Sequence, residues 1–403
     1  MQKATMVQRK LETALGRARG LVRGWRTGQK LVVLESDDWG SIRTSSREAY
    51  DRIRAAGYAL QRSAYGLDAL ENDTDLQMLY DVLGSVRDAR GRPACMTANM
   101  ILANPDFAAI KQSGFRKYFF EPAAETLARC PGGTNVAALW QEGLARKVFV
   151  PQLHAREHIC WWQWLKALQD GSPEAAETFG LGMCGVPRSV SKENRGFFDP
   201  PYVSDEDLRA GGVDLERMVG DGARLFAKQF GYRPLSVIAP KYCWTDRVEG
   251  IWRDSGLRYV QGMLFQRVGS PKSRRPHYLG ERSPSGMLYL VRNCTFEPAT
   301  GGAGWADACL RDVARAFVLR RPAIICTHRV NFIGSVSAEN RSRGLEQLAS
   351  LLGTIRRRWR DVLFLSTPEL GFMIEHGMGD ARELCLDAVT RKRTDSVSRP
   401  APV

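Results

Sequence analysis

One stretch constrains the fold of this chain more than any other: residues 31–40, which read LVVLESDDWG. It begins as an apolar run with two valines, which is typical of a buried β-strand. It ends in the paired acids Asp37 and Asp38, followed by Trp39 and Gly40. Carboxylates at the end of a buried strand are typical of α/β sheets and barrels, which carry functional groups at that edge. The same letters also suit a turn whose aspartate caps the next helix.

The two aspartates predict a division of labour. Successive residues of a strand point to opposite faces, so Asp37 and Asp38 cannot do the same job if the strand continues through them. We expect one to bind a metal ion and the other to handle a proton. Trp39 has two interpretations, a platform on which a sugar ring stacks or a residue of the core.

A pair of histidines indicates a metal site. His154 and His158 lie four positions apart, and on a helix this spacing places both imidazoles on one face, close enough to share an ion. The same face would continue through Trp161, Leu165 and Leu168, which predicts a helix over this stretch. The chain has only five histidines, so two at ligand spacing are informative.

Strand-like and helix-like segments alternate along most of the chain, which predicts an α/β fold with a largely parallel sheet. His328 ends the apolar run 323–328, just as the aspartates end the first strand. Barrels carry their chemistry at such carboxyl ends of strands. Further predicted strands are 93–99, 235–240, 256–260, 287–291, 323–328 and 361–366, and the predicted helices are 45–56, 73–89, 135–145, 208–230, 246–255, 337–359 and 368–375.

The charge of the chain favours an anionic partner, because its 403 residues carry a net charge of +14. Residues 1–30 hold eight Lys or Arg and one acid, and their apolar residues recur at helical spacing. We interpret them as a basic amphipathic helix packed on the domain, with peripheral contact to an anionic membrane or glycan as the alternative. The basic tail 377–403 is expected to be disordered. The segments 41–147 and 171–235 are interpreted as long insertions, and a lid is the alternative for the second.

Other features bear on location and partners. The nine cysteines are scattered without a Cys-x-x-Cys pair, which favours reduced thiols. The first residues lack the pattern of a secretory signal, and no apolar run reaches the ~18 residues of a membrane span. We therefore expect a cytoplasmic protein, or one at the membrane periphery. The basic cluster 356–360 has no accompanying nucleic-acid motif, so no nucleic-acid partner is expected.

The order of these motifs resembles the polysaccharide deacetylase superfamily, which is carbohydrate esterase family four with the nodulation-factor and chitin deacetylases. The motifs are Asp-Asp, then His-x-x-x-His, then a strand leading into Pro240-x-Tyr242, and last a strand ending in His328. The resemblance covers about residues 30–375 and is weak between these motifs. It implies a distorted (β/α)7 barrel with long insertions, over residues 31–376.

The resemblance also implies roles for the residues. Asp37 would be the general base, and His328 the general acid. Asp38, His154 and His158 would bind a divalent metal, usually Zn²⁺, with Co²⁺, Ni²⁺ or Mn²⁺ as alternatives.

Two positions of the third motif carry further implications. The backbone N–H of Tyr242 would hold the oxyanion of the tetrahedral intermediate. Lys241 stands close to where the family carries an arginine that orients the base, and a lysine is a point charge without the bidentate fork of arginine. Arg329, Asn331 and Glu297 are candidates for roles that the motifs leave unfilled.

The function implied is removal of N-acetyl groups from an amino-sugar-containing glycan, or from its precursor before export. The glycan partner would be N-acetylated, and acidic if the net charge reports on it. Two alternatives remain open at this point. One is hydrolysis of another linear amide or an O-acetyl ester at the same site, and the other is non-enzymatic binding of an acidic polymer.

Overall fold

The computed structural model describes residues 22–384 together with residues 16 and 20, except for 199–207, 210, 269–272 and 303. Most of the predicted helix within residues 1–30, and the tail from residue 385, therefore lie outside the described residues. The segment before the first strand packs on the domain: the Trp25 N–H donates to the Leu279 carbonyl at 2.7 Å. At the other end, Ala381 and Leu384 are buried in the same apolar cluster as Trp25.

Most of the strands form one sheet. Its order is β10-β7-β6-β5-β2-β1-β12-β11, with β13 also paired to β1, and every pairing in it is parallel. Two small antiparallel pairs, β3-β4 and β8-β9, lie outside it. The strands are β1 Leu31–Trp39, β2 Met96–Ile101, β3 Ala103–Pro105, β4 Phe120–Pro122, β5 Phe149–Ala155, β6 Ser236–Ile238, β7 Tyr259–Gly262, β8 Phe265–Arg267, β9 Arg274–Pro276, β10 Leu288–Val291, β11 Cys294–Thr295, β12 Ala323–His328 and β13 Leu363–Leu365.

The sheet curls until its two ends meet in one stretch of chain. Strands β10 and β11 stand at opposite ends of the strand order, yet only Arg292 and Asn293 separate them. Strand β10 pairs with β7, and β11 pairs with β12. If β10 and β11 are counted as one strand, seven strands surround the barrel. Strand β13 pairs with the first residues of β1. The expected distorted (β/α)7 barrel is confirmed.

Helices connect the strands and cover the outside of the ring. Those predicted at 45–56, 73–89, 135–145, 246–255, 337–359 and 368–375 appear within a few residues of the expected ends. Polar caps set several starts. The Ser46 side chain accepts from the Ala49 N–H, and Asn72 and Asp75 form a capping box. The helices are α1 Arg47–Ala55, α2 Asp73–Ser85, α3 Phe107–Gln112, α4 Ala123–Ala128, α5 Val136–Ala145, α6 Trp161–Gln169, α7 Pro173–Gly180, α8 Leu215–Phe230, α9 Asp246–Asp254, α10 Trp305–Val318, α11 Ala338–Arg358 and α12 Thr367–Glu375.

The alternation of β1 explains how the barrel is filled. Leu31 and Val33 pack with apolar residues of β7, β10, β12 and β13, which are strands around the ring, so this face points inward. Val32 and Leu34 belong to the other cluster, which includes the covering helices. Burial of such a side chain contributes about 1.5–3 kcal/mol. The inward face continues through Glu35 to Asp37. The interior of the barrel is therefore apolar at the start of β1 and polar at its carboxyl end.

The two predicted insertions differ in the structure. The region 41–147 is not simply inserted, because it contains β2, which lies between β1 and β5 in the ring. The region 171–235 holds α7, the segment 181–198 and α8, and residues of 181–198 line the cavity described below. No helix among the described residues is long and apolar enough to cross a membrane.

Candidate active site

A β-bulge brings both aspartates to the mouth of the barrel. The register between β1 and β2 shifts between Ser36 and Trp39, so Asp37 and Asp38 together oppose Asn99. Asp38 has a φ of 76°, in the left-handed region that costs a non-glycine residue about 1–2 kcal/mol. The expectation that adjacent residues face opposite ways is therefore wrong here, because the bulge breaks the alternation. Both carboxylates line one cavity.

A second bulge presents the first histidine. Between β2 and β5 the register passes from the pair Met100–Leu153 to the pair Ile101–Ala155, which leaves His154 as the extra residue. His158 lies in the loop that follows β5. The helix predicted through both histidines is wrong, since α6 begins only at residue 161. Pairing with β2 extends the strand to Ala155 and outweighs the local helical pattern.

The three predicted ligands nevertheless meet. Asp38 Oδ1 lies 3.4 Å from His154 Nε2 and 3.8 Å from His158 Nε2, and the potential ligand atoms all lie within 4.8 Å of one another. His154 Nδ1 is 2.9 Å from the Ile238 carbonyl, so we assign the proton to Nδ1. This bond orients the ring and leaves the Nε2 lone pair directed at the cluster, as ligating histidines require.

The protonation states of the cluster also suit a cation. Burial, and then the charge of Arg43, hold the pKa of His158 well below its usual value, so this imidazole is neutral and able to ligate. Burial alone would raise the pKa of Asp38, but Arg43 and the two imidazoles outweigh it and keep that carboxyl ionised. Two imidazoles and one carboxylate are a donor set that fits a divalent ion such as Zn²⁺.

Asp37 is held by an arginine that lies 255 positions further along the chain. Arg292 Nη2 donates to Asp37 Oδ1 at 2.7 Å and Nη1 donates to Oδ2 at 2.8 Å, while Asn99 Nδ2 donates to Oδ1 at 2.7 Å. Burial alone would raise the pKa of Asp37, but Arg292 outweighs it and lowers the pKa to about 2. The carboxylate is therefore ionised and fixed in direction at neutral pH.

Arg292 fills the orienting role that the sequence suggested for Lys241. It follows β10 directly, and its Nε donates to the buried Glu35 at 2.6 Å. Glu35 also accepts from the Thr367 hydroxyl at 2.7 Å, so the clamp is itself held in place. The signal that could have found Arg292 is its position: it is a charged residue at the carboxyl end of a predicted strand.

His328 stands beside Asp37, because the two residues are partners in the parallel register of β1 and β12. Its Nε2 lies 3.9 Å from Asp37 Oδ2. On the other side of the imidazole, His328 Nδ1 is 2.7 Å from Glu297 Oε1. Asn331 Nδ2 donates to Glu297 Oε2 at 2.8 Å. Burial opposes a charged imidazole, but the Glu297 carboxylate raises the pKa of His328 well above its usual value. His328 is therefore a cation at neutral pH.

Trp39 belongs to the core and not to the substrate cavity. Trp39 is fully buried, its ring packs edge-to-face on Phe149, and its Nε1 donates to Ser36 at 3.0 Å. The core interpretation of Trp39 is confirmed, and a sugar platform is wrong because no face of the ring is accessible. Tyr65 lines the cavity together with Phe198 and Tyr242, and it is 39% exposed and edge-on to His328.

The turn after β6 has a strained backbone, and the N–H that would bind the oxyanion already donates a hydrogen bond. Lys241 and Tyr242 have φ values of 51° and 57°, both in the left-handed region. The Tyr242 N–H, which the resemblance assigns to the oxyanion, donates to the Ala239 carbonyl at 3.0 Å. Arg292 Nη1 lies 3.3 Å from the Tyr242 hydroxyl. An oxyanion role for that N–H would require the bond to Ala239 to be shared or opened.

Arg329 does not belong to the reacting groups. It is fully buried and donates to Asp68 and Glu71, with Nη2–Oδ1 and Nη1–Oε2 distances of 2.9 Å each. It therefore ties the loop after α1 to the segment after β12. The other two candidates for unfilled roles lie beside His328: Glu297 is hydrogen-bonded to its Nδ1, and Asn331 donates to Glu297.

All five predicted reacting and ligating side chains open into a single cavity of about 480 Å³. This volume falls within the ~300–1,000 Å³ that is typical of small-molecule sites. The ligand cluster and the Asp37–His328 pair line the same space, so the arrangement can present one substrate group to a cation, a base and an acid together. The five side chains are Asp37, Asp38, His154, His158 and His328.

Comparison with known proteins gives structural likenesses only. No family model matches the chain, and no curated protein matches it. Among solved structures, a putative glycoside hydrolase/deacetylase from Parabacteroides distasonis is 9% identical, with 87% of this chain and 72% of that chain covered at a TM-score of 0.48. A putative polysaccharide deacetylase from Mycobacterium smegmatis is 12% identical, with 90% and 96% covered at 0.39.

A 4-alpha-glucanotransferase from Thermococcus litoralis is a further likeness, 8% identical at a TM-score of 0.41. It covers 85% of this chain, which spans only 40% of the length of the glucanotransferase. Structures described as polysaccharide deacetylases are thus among those that this chain resembles. Because the three TM-scores lie below 0.5, the likenesses identify neither an activity nor a substrate for it.

Proposed function

We propose that this protein is a metal-dependent hydrolase that removes N-acetyl groups from an amino-sugar-containing glycan or its precursor. The observation that carries the proposal is the convergence of a ligand cluster, an ionised carboxylate and a protonated imidazole on one cavity. Asp38, His154 and His158 would hold the ion, with Zn²⁺ the best match to their donor atoms. When bound, such an ion supplies Lewis-acid polarisation of an acetamide carbonyl and makes water more acidic.

Asp37 would accept a proton from the attacking water. A general base must be ionised and must point at its target, and the Arg292 fork with Asn99 secures both. The low pKa of Asp37 makes it a weak base in the absence of a substrate. Any rise in that pKa on closure of the cavity by substrate would improve proton acceptance.

His328 would donate a proton to the departing amine. An amine is a poor leaving group until it is protonated, so N-deacetylation requires an acid. Glu297 accepts from Nδ1 and thereby keeps the other proton on Nε2, the nitrogen that faces Asp37 across the cavity. The base and the acid therefore start in the protonation states that the reaction consumes.

Release of acetate tests the proposal. Purified protein would be given Zn²⁺, Co²⁺, Ni²⁺ or Mn²⁺ and a panel of N-acetylglucosamine oligomers, acidic N-acetylated oligosaccharides and nucleotide-linked N-acetyl sugars. We expect acetate and a free amine from at least one class, and none from the His154→Ala/His158→Ala variant. Acetate only from O-acetylated glycans would replace this function by ester hydrolysis. A fully metallated protein that releases acetate from no member would overturn it.

A further inference from the structure

The wall of the cavity is unevenly charged. Its only acids among the described residues are Asp37 and Asp38, and both are engaged within the site. All other charged side chains on that wall, histidines aside, are cationic. They are Arg43, Arg188, Lys241 and Arg267.

Three of these cations are exposed and come from unrelated segments. Arg188 belongs to the segment after α7, Lys241 to the turn after β6, and Arg267 to β8. Their convergence is thus a product of the tertiary fold, unlike cations that simply succeed one another along one helix. Arg188 Nε lies 3.4 Å from the amide oxygen of Asn194 in the same segment.

The backbone at Lys241 supports a functional position. Its left-handed φ, followed by another at Tyr242, is a conformation that costs energy for side chains with a Cβ. Strain of this kind persists where the surrounding structure imposes it, and it concentrates at binding and catalytic sites. Here it accompanies the placement of an ammonium-bearing side chain on the cavity wall.

Arg43 extends the positive surface to the depth of the cavity. It is buried, its guanidinium stacks 4.2 Å from the centre of the Phe198 ring, and it lies 3.4 Å from Asp38. Its Nε lies 3.8 Å from Asp68 Oδ2, so the guanidinium lies between two buried carboxylates. Arg43 is therefore engaged within the site, and the exposed cations of the wall are the ones placed to meet a ligand.

We propose that the substrate carries an anionic oxygen group close to the acetamide, and that Arg188, Lys241 and Arg267 bind this group at the mouth of the cavity. The inference rests on the proposed function and narrows it to acidic N-acetylated glycans or precursors. Guanidinium groups bind carboxylate and phosphate oxygens with similar geometry, so the shared chemistry is an anionic oxygen group. A uronate of a polymer and the phosphate of a precursor are its two sources.

Three probes with the same acetamide distinguish the sources. They are the neutral tetramer of N-acetylglucosamine, a tetrasaccharide that alternates N-acetylglucosamine with glucuronate, and UDP-N-acetylglucosamine. The variant Arg188→Gln/Arg267→Gln removes two charges from the wall. Arg357→Gln/Arg358→Gln is the matched control, because it removes the same charge from the exposed end of α11 that leads into β13, on the far side of the barrel.

We expect kcat/KM to favour one acidic probe over the neutral one by about tenfold, the effect of one charge-assisted hydrogen bond. The wall variant should lose most of this preference through KM, and the control variant should keep it. Preference should also fall as salt rises, since exposed charges are screened. A preference for the glucuronate probe identifies a uronate, and one for the UDP sugar identifies a phosphate.

Binding of the same probes, measured by calorimetry, separates the two proposals. Deacetylation of all probes at equal kcat/KM, unchanged in the wall variant, would overturn the acidic subsite and leave the hydrolase intact. Tight binding of an acidic probe that the wall variant loses, without acetate release, would support the subsite and contradict the hydrolase. Equal affinity of the wild type and the wall variant for every acidic probe would also overturn the subsite.

Discussion

Arg292 holds Asp37 through two parallel hydrogen bonds, although 255 positions separate them in the sequence. The fork is planar and matches both carboxylate oxygens, and its third nitrogen is bound to the buried Glu35. Three charged groups, all buried, thus form one unit beneath the cavity. Removing Arg292 would leave both carboxyl groups without their cation in a poorly solvated place.

The variant Arg292→Lys tests whether geometry as well as charge matters. A lysine keeps the positive charge but cannot form the fork, so Asp37 should lose its fixed direction. We expect kcat to fall by about 10²-fold, within the range for an impaired general base. Steady-state kinetics and a thermal melt would be recorded together. Wild-type kcat in a folded Arg292→Lys protein would show that the clamp is only structural.

The adjacent aspartates should fail differently. Asp38→Asn should weaken metal binding, because a neutral amide is a poorer ligand for the cation. Asp37→Asn should retain the metal and lose ~10²–10⁴ in rate, because an amide does not accept the proton. Metal content and kcat would be measured for both. The assignment is reversed if Asp38→Asn stays metallated while Asp37→Asn turns over at close to the wild-type rate.

The histidine cluster should account for all tightly bound metal. Elemental analysis of the purified protein should find near one equivalent, and His154→Ala/His158→Ala should remove it, because one carboxylate alone is a weak site. His376→Ala is the control, since this histidine is exposed at the end of α12. Full metal content in the double variant would place the ion elsewhere.

His328→Ala should spare the metal and discriminate between leaving groups. An amine must be protonated to depart, whereas the phenolate of an aryl acetate departs without an acid. We therefore expect a loss of ~10²–10⁴ in kcat on an acetamide and a much smaller loss on the aryl ester. Equal losses on both substrates would mean that His328 positions the substrate and does not supply the proton.

Glu297→Gln should move the alkaline limb of the pH profile. Glu297 raises the pKa of His328 and so keeps the acid protonated as pH increases. Without that carboxylate, burial still favours the neutral ring, so His328 loses its proton at a lower pH. The fall of kcat/KM should accordingly begin at a lower pH than in the wild type. Glu346→Gln, exposed on α11, should leave the limb in place, and an unmoved limb in Glu297→Gln would contradict the role.

Much of the fold could be predicted because its signals are local. Strands β1 and β12 are apolar runs that end in polar residues, and their parallel register then places Asp37 beside His328. The helices α2 and α11 carry side-chain caps and long periodic patterns, so their ends were expected within a few residues. Such features need no knowledge of distant partners.

The features that sequence reasoning missed depend on partners far along the chain. His154 was expected on a helix because its spacing to His158 is helical, but pairing with β2 made it a bulged strand residue. Arg292 carries no motif, and its role appears only when barrel closure brings β10 near β1. Trp39 was ambiguous because an aromatic beside two acids suits a core as well as a binding surface.

The two residues between β10 and β11, Arg292 and Asn293, link activity to completion of the barrel. These two residues join the ends of the sheet and also place the Arg292 guanidinium on Asp37, so the base is oriented only when the last strands are docked. The Asn293 side chain donates to the Pro322 carbonyl and accepts from the Ile324 N–H, and these bonds hold the segment between β10 and β11 against β12. Hydrolysis would therefore report on completion of the barrel, because an oriented Asp37 requires β10, β12 and the segment between β10 and β11 to be docked together.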